Sequence, residues 1–99
     1  MGNWAQLWIS ELQISAEVSA KITFLHGITP RYVQEHFVGS KWTFARLEID
    51  DVHGERWIVT NFYQKLPRVV IMVDEIDLDL GTWRLRTAFK SRNSKIVGR

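Results

Sequence analysis

The chain has 99 residues, 45% hydrophobic and 24% charged, the composition of one ordinary globular domain with no room for a second. It contains no cysteine, which excludes a disulfide framework and a thiolate metal site, and no apolar run approaches the ~18 residues needed to span a bilayer. Net charge is only +2, but it is segregated: Asp74, Glu75, Asp77 and Asp79 form an acidic run, whereas Arg84, Arg86, Lys90, Arg92, Lys95 and Arg99 follow with no carboxylate between them. Such a basic end suits a polyanion or an acidic protein; the plainer reading is a solvated tail. With no basic, apolar signal pattern at its start, the chain reads as a soluble, cytoplasmic protein that does not enter a membrane.

Residues 5–14 suggest an extended segment through Leu7, Ile9, Leu12 and Ile14, with a change of phase near Ser10 that marks a bulge or bend. A helical start at Ser10, with Gln13 as capping-box partner, competes with that reading, but Ser15 is the better cap. From Ser15, the residues Val18, Ile22 and Leu25 fall on one face of a helix, and Glu17 and Lys21 stand four apart on another. The helix should end at His26, where an imidazolium meets the negative helix terminus and Gly27 can adopt the left-handed conformation that stops it. Thr29 can cap a second helix whose first position, Pro30, lacks an N–H that would go unpaired anyway. Ile28 and Val33 are then the N′ and N4 positions of a hydrophobic staple, so the corner should be rigid. The second helix carries Val33 and Phe37 inward and stops by Gly39.

Beyond it the apolar period changes from helical to alternating, which predicts four strands at 42–49, 55–62, 68–75 and 82–89, separated by DDVHG, YQKLP and IDLDLG. The short connections favour antiparallel neighbours, and the run VVIMV marks the third as central. The expected fold is α+β: an N-terminal strand, a two-helix hairpin, then a four-stranded antiparallel sheet, in a single domain of residues 1–99 with 91–99 as a loose basic tail.

The run ISAEVSAKITFLHGITPRYVQ, followed by GERWIVT, LPRVVIMV and GTWRLRTAFK, resembles BrnT-like toxins in order and spacing over most of the chain. The resemblance implies a RelE-type toxin fold and a ribonuclease that arrests growth, neutralised by a cognate antitoxin protein that also binds operator DNA. The chain departs from that pattern twice. Phe89 stands where the family has arginine after Thr-Ala, and the usual terminal helix with Arg, Glu and Tyr is replaced by SRNSKIVGR. If cleavage depends on those groups, the protein binds without cutting.

Alternation places Arg84, Arg86 and Lys90 on one face of the last strand, opposite Trp83, Leu85, Thr87 and Phe89. Arg46 and Glu48 share a face of the first sheet strand, and Arg56 opposes Trp57 on the next. Metal-independent RNA cleavage needs a base, an acid and cations that stabilise the phosphorane. Arg46, Glu48, Arg84 and Arg86 are the catalytic candidates on that chemistry, with Arg56, Lys90, Lys21 and His26 as RNA contacts. The competing structural readings are an ion pair for Glu48 beside its arginines and simple helix capping for His26. His36 and His53 need no function. The acidic run lacks calcium-loop spacing, so no metal and no cofactor is expected. Five tryptophans, Trp4, Trp8, Trp42, Trp57 and Trp83, either meet a partner or pack over sheet edges. Two function classes therefore stand: an RNA-cleaving toxin, and a non-catalytic protein- or RNA-binding module of the same fold. A small-molecule enzyme lacks any nucleophile, base and orienter at recognisable spacing.

Overall fold

The computed structural model describes residues 3–52, 54–62 and 68–91. Its elements are β1 (Ala5–Gln6), β2 (Glu11–Gln13), α1 (Ala16–His26), α2 (Pro30–Phe37), β3 (Thr43–Asp50), β4 (Gly54–Asn61), β5 (Arg68–Asp77) and β6 (Thr82–Ser91). His53, the YQKLP connection and the basic tail from Arg92 lie outside the described residues; Ser91, read above as the start of that tail, is the buried last residue of β6.

The helical corner forms as its local chemistry dictates. Val18 N–H donates to Ser15 Oγ at 3.1 Å, and Tyr32 N–H to Thr29 Oγ1 at 3.1 Å. Each bond satisfies one of the orphan donors of a helix start. Gly27 ends α1 at φ 64°, the left-handed region a side chain resists. Ile28 and Val33 are both buried in the same core cluster, as the staple requires. The inward face of α1 differs from expectation. Ile22 is fully buried and Val18 half-buried, but Leu25 is 69% exposed. The stripe that packs down follows the i, i+4 row from Val18 through Ile22 to His26, which turns Leu25 off the contact.

The sheet is larger than the four antiparallel strands expected. It has six strands in the order β1-β3-β4-β5-β6-β2, and β2 runs parallel to β6 while the other neighbours are antiparallel. The extended segment at the N-terminus is split into strands on opposite edges. Laid flat, five strand spacings would hold those edges about 24 Å apart. Residues 7–10 alone join Gln6 to Glu11, a reach of at most about 17 Å. The sheet must therefore curl. Ile9, in the middle of that link, is completely buried, and Ser10 and Glu11 N–H both donate to Gly81 O at 2.8 and 3.2 Å.

The helices lie on one face, where Ile22, Ile28, Val33 and Phe37 meet Ala45, Val59, Val69, Ile71, Val73, Trp83, Leu85 and Ala88. Each large apolar side chain buried there contributes roughly 1.5–3 kcal/mol. The C-terminal end of α2 is tied to the sheet by polar bonds as well. Thr43 and Asn61, directly paired across β3 and β4, donate from Oγ1 to Phe37 O at 3.4 Å and from Nδ2 to His36 O at 3.3 Å. Two carbonyls without intrahelical partners thus gain donors. Gln34 Nε2 donates to Leu12 O at 2.9 Å and fixes α2 against β2.

Gly81 is the tightest point of the closure: its φ is 71°, and a Cβ there would lie 2.9 Å from Ser10 Oγ. Gly81→Ala should therefore cost roughly 1–3 kcal/mol in chemical denaturation. Adding Ser10→Gly should recover the steric part of that loss and leave the backbone part.

Candidate functional site

The face of the sheet away from the helices carries its own small apolar cluster. Ile58 and Val70 are buried there, packed against Trp4, Phe62, Met72 and Phe89. Trp4 meets Phe62 edge-on at a centroid distance of 5.4 Å, and Phe44 lies 5.4 Å from Phe62.

Next to this cluster the strand registers assemble a row of charges. Glu48 pairs with Arg56 across β3 and β4, and Asp74 with Arg84 across β5 and β6. The β4–β5 ladder ends at Trp57 and Val73, so Arg56 and Asp74 stand one position beyond it on adjacent strands. Charges of alternating sign therefore run laterally over four strands, and Arg46 sits two positions before Glu48 on the same face of β3. Arg46 Nη2 donates to Glu48 Oε2 at 3.0 Å, while Arg56 Nη2 donates to Glu48 Oε1 at 3.5 Å and lies 3.6 Å from Asp50 Oδ2. Arg86 grips Asp74 with two bonds, Nη2 to Oδ1 and Nε to Oδ2 at 3.2 Å. The Arg46 guanidinium also lies over the Trp4 ring, 5.1 Å from its centroid. Arg84 is exposed and has no ion-pair partner among the described residues.

Five sequence-predicted site residues, Arg46, Glu48, Arg56, Arg84 and Arg86, thus converge on the face opposite the helices. Their chemical state differs from a bare cationic surface. Four arginines face three carboxylates, Glu48, Asp50 and Asp74, and both oxygens of Glu48 are engaged by guanidinium groups. The structure shows the ion pair that competed with the catalytic reading of Glu48.

Lys90 does not join them. A register shift between Met72 and Val73 pairs Met72 with Thr87 and Val73 with Leu85, which leaves Arg86 as an extra residue on β6. A bulge of this kind inverts the alternation beyond it. Phe89 therefore lies with the open-face cluster, the reverse of the strict alternation, and Lys90 pairs with Val69 on the helical side. There Lys90, with Gly27, Ile28, Thr29, Tyr32 and Val69, lines a cavity of about 430 Å³ at the helical corner. His26 is the half-buried last residue of α1, and Lys21 is exposed on the same helix, so neither reaches the arginine face.

Sequence reasoning did not anticipate Asp50 and Asp74 as arginine partners, or Trp4 as a ring beneath Arg46. Those assignments need the β3–β4 and β5–β6 registers and the β1–β3 pairing, which no local pattern carries. The tryptophans divide: Trp83 is buried and meets Trp57 edge-on at 6.0 Å in the helical-side core, Trp4 packs on the open face, and Trp8 and Trp42 are 55% and 43% exposed. No helix among the described residues is long and apolar enough to cross a membrane. Comparison of the chain with protein-family models, with curated proteins and with solved structures returns no match.

Proposed function

We propose that this chain is a BrnT-like, RNA-directed domain of the RelE type that binds RNA on its open sheet face and does not cut it. The observation that carries the reading is the convergence of Arg46, Arg56, Arg84 and Arg86 from three strands on the side not covered by helices. Exposed Arg84 is the first phosphate contact, and Arg86, whose fork holds Asp74 through two bonds, can exchange carboxylate for phosphate oxygens of similar geometry. The near balance of charge makes that exchange weak and sensitive to salt. Cleavage is disfavoured by the engagement of both Glu48 oxygens. An antitoxin-like protein would cover the same surface, where arginines border aromatic side chains as they do in protein interfaces.

A cleaving toxin is the second reading, favoured by the grouping of one carboxylate with two cations in a single hydrogen-bonded cluster on β3 and β4. Both readings are tested by incubating the purified chain with single-stranded RNA in the presence of EDTA. Binding is followed by fluorescence anisotropy and integrity by gel electrophoresis. Salt-dependent binding with intact RNA is expected. Fragments would replace the first reading by the second, and the absence of both binding and fragments would end the RNA assignment.

A further inference from the structure

The open face carries more than its row of charges, because strand pairing lays its residues out in rows that cross the sheet. Phe44, Thr60, Val70 and Phe89 form one row, and Arg46, Ile58, Met72 and Thr87 form the next. The charged row of Glu48, Arg56, Asp74 and Arg84 follows. Successive rows are two residues, about 6.7 Å, apart along a strand. Trp57 and Trp83 pack together in the helical-side core, away from these arginines; the rings that share the arginine face are Trp4, Phe44, Phe62 and Phe89. Three of those four are already engaged. Trp4 meets Phe62 edge-on and carries the Arg46 guanidinium, and Phe44 leans on Phe62. Phe89 is half-buried against the Ile58 and Val70 cluster and makes no ring–ring or cation–ring contact among the described residues.

The strand that carries this ring also carries the charge. Arg86 stands three residues before Phe89 on β6 and exposed Arg84 five before it, so Arg86 and Phe89 are about 10 Å apart along the backbone. The bulge brings them together: strict alternation would set Phe89 on the face opposite Arg84 and Arg86. Given the RNA reading of this face, on which the inference rests, we propose that the ligand is single-stranded, with an unpaired base stacked on Phe89 and its backbone phosphates met by Arg84 and Arg86. A base stacks on a side chain only where its π-face is free, and in a duplex both faces are covered by neighbouring pairs. The arginine row alone would accept either form, since phosphates line both. Stacking also suits a surface whose charges are largely neutralised, because it adds affinity that does not depend on counterion release.

The test is fluorescence anisotropy at low salt with three labelled probes: one RNA strand chosen to lack self-pairing, the duplex of that strand with its complement, and an abasic strand of equal length. The unmodified chain should bind the single strand at least about fivefold more tightly than the duplex or the abasic strand. Phe89→Leu keeps an apolar side chain against Val70 and removes the π-face. It should lose at least about fivefold on the single strand and nothing on the duplex, with the salt slope unchanged. Phe89→Trp should bind the single strand at least as tightly as the unmodified chain. Equal affinity for the intact and abasic strands, tighter binding of the duplex, no loss in Phe89→Leu, or a loss there that the duplex shares would overturn stacking and leave the RNA reading standing. If Phe89→Leu does not fold, the abasic comparison decides. Failure of the unmodified chain to bind any of the three probes would end the RNA reading, and this assignment with it.

Discussion

Phe37→Ala should lower the free energy of unfolding by about 3–5 kcal/mol, read from the urea midpoint at constant slope. Phe37 is completely buried where α2 meets the sheet. The backbone around it has little freedom to collapse into the space left behind. Its carbonyl accepts from Thr43, Asn61 holds the preceding carbonyl, and Gly39 N–H donates to Ile9 O at 2.8 Å. A cavity held open by such bonds costs more than one that can close. For a domain whose total stability is of order 5–15 kcal/mol, the loss would remove between about a fifth and all of it. Leu25→Ala on the exposed side of α1 should change stability by no more than about 0.5 kcal/mol. Similar effects of the two substitutions would contradict this orientation of the helical hairpin.

Reversing charge at Arg84 and Arg86 together should weaken RNA binding at least about tenfold at low salt. The slope of log affinity against log salt should fall by about 1.4, the loss of two single-strand phosphate contacts. Arg84→Gln removes the exposed cation and leaves the observed ion pairs intact, whereas Arg86→Gln takes away the guanidinium that holds Asp74. The single variants therefore separate phosphate contact from disruption of the pair, with a thermal melt reporting the latter. Lys21→Glu and Lys90→Glu, on the helical side, should bind RNA as the unmodified chain does. Loss of binding in Lys90→Glu but not in the arginine double variant would move the RNA site to the cavity at the helical corner.

Much of the fold was legible because its signals are local. The Ser15 and Thr29 caps, Gly27 and Pro30 each act within four residues, and both helices fall within a residue or two of where those signals put them. The four main strands were readable from alternation and turn residues. The candidate site was half legible: Arg46 with Glu48, and Arg84 with Arg86, could be grouped, but their salt-bridge partners could not. Asp74 read as one member of an acidic run. Its role as the anion clamped by Arg86 depends on which residues of β5 and β6 face one another.

By itself, then, the sequence determined one cysteine-free α+β domain, its helical corner, its four long strands and the arginines eligible to share a face. Only the tertiary structure decided that residues 5–14 serve both edges of a curled sheet, that one extra residue at Arg86 sends Lys90 to the helical side, and that the arginines are largely neutralised. The division has a physical cause. Caps and alternation are settled by neighbours along the chain, whereas strand register is settled by packing between segments tens of residues apart, and a one-residue shift exchanges the faces of everything beyond it.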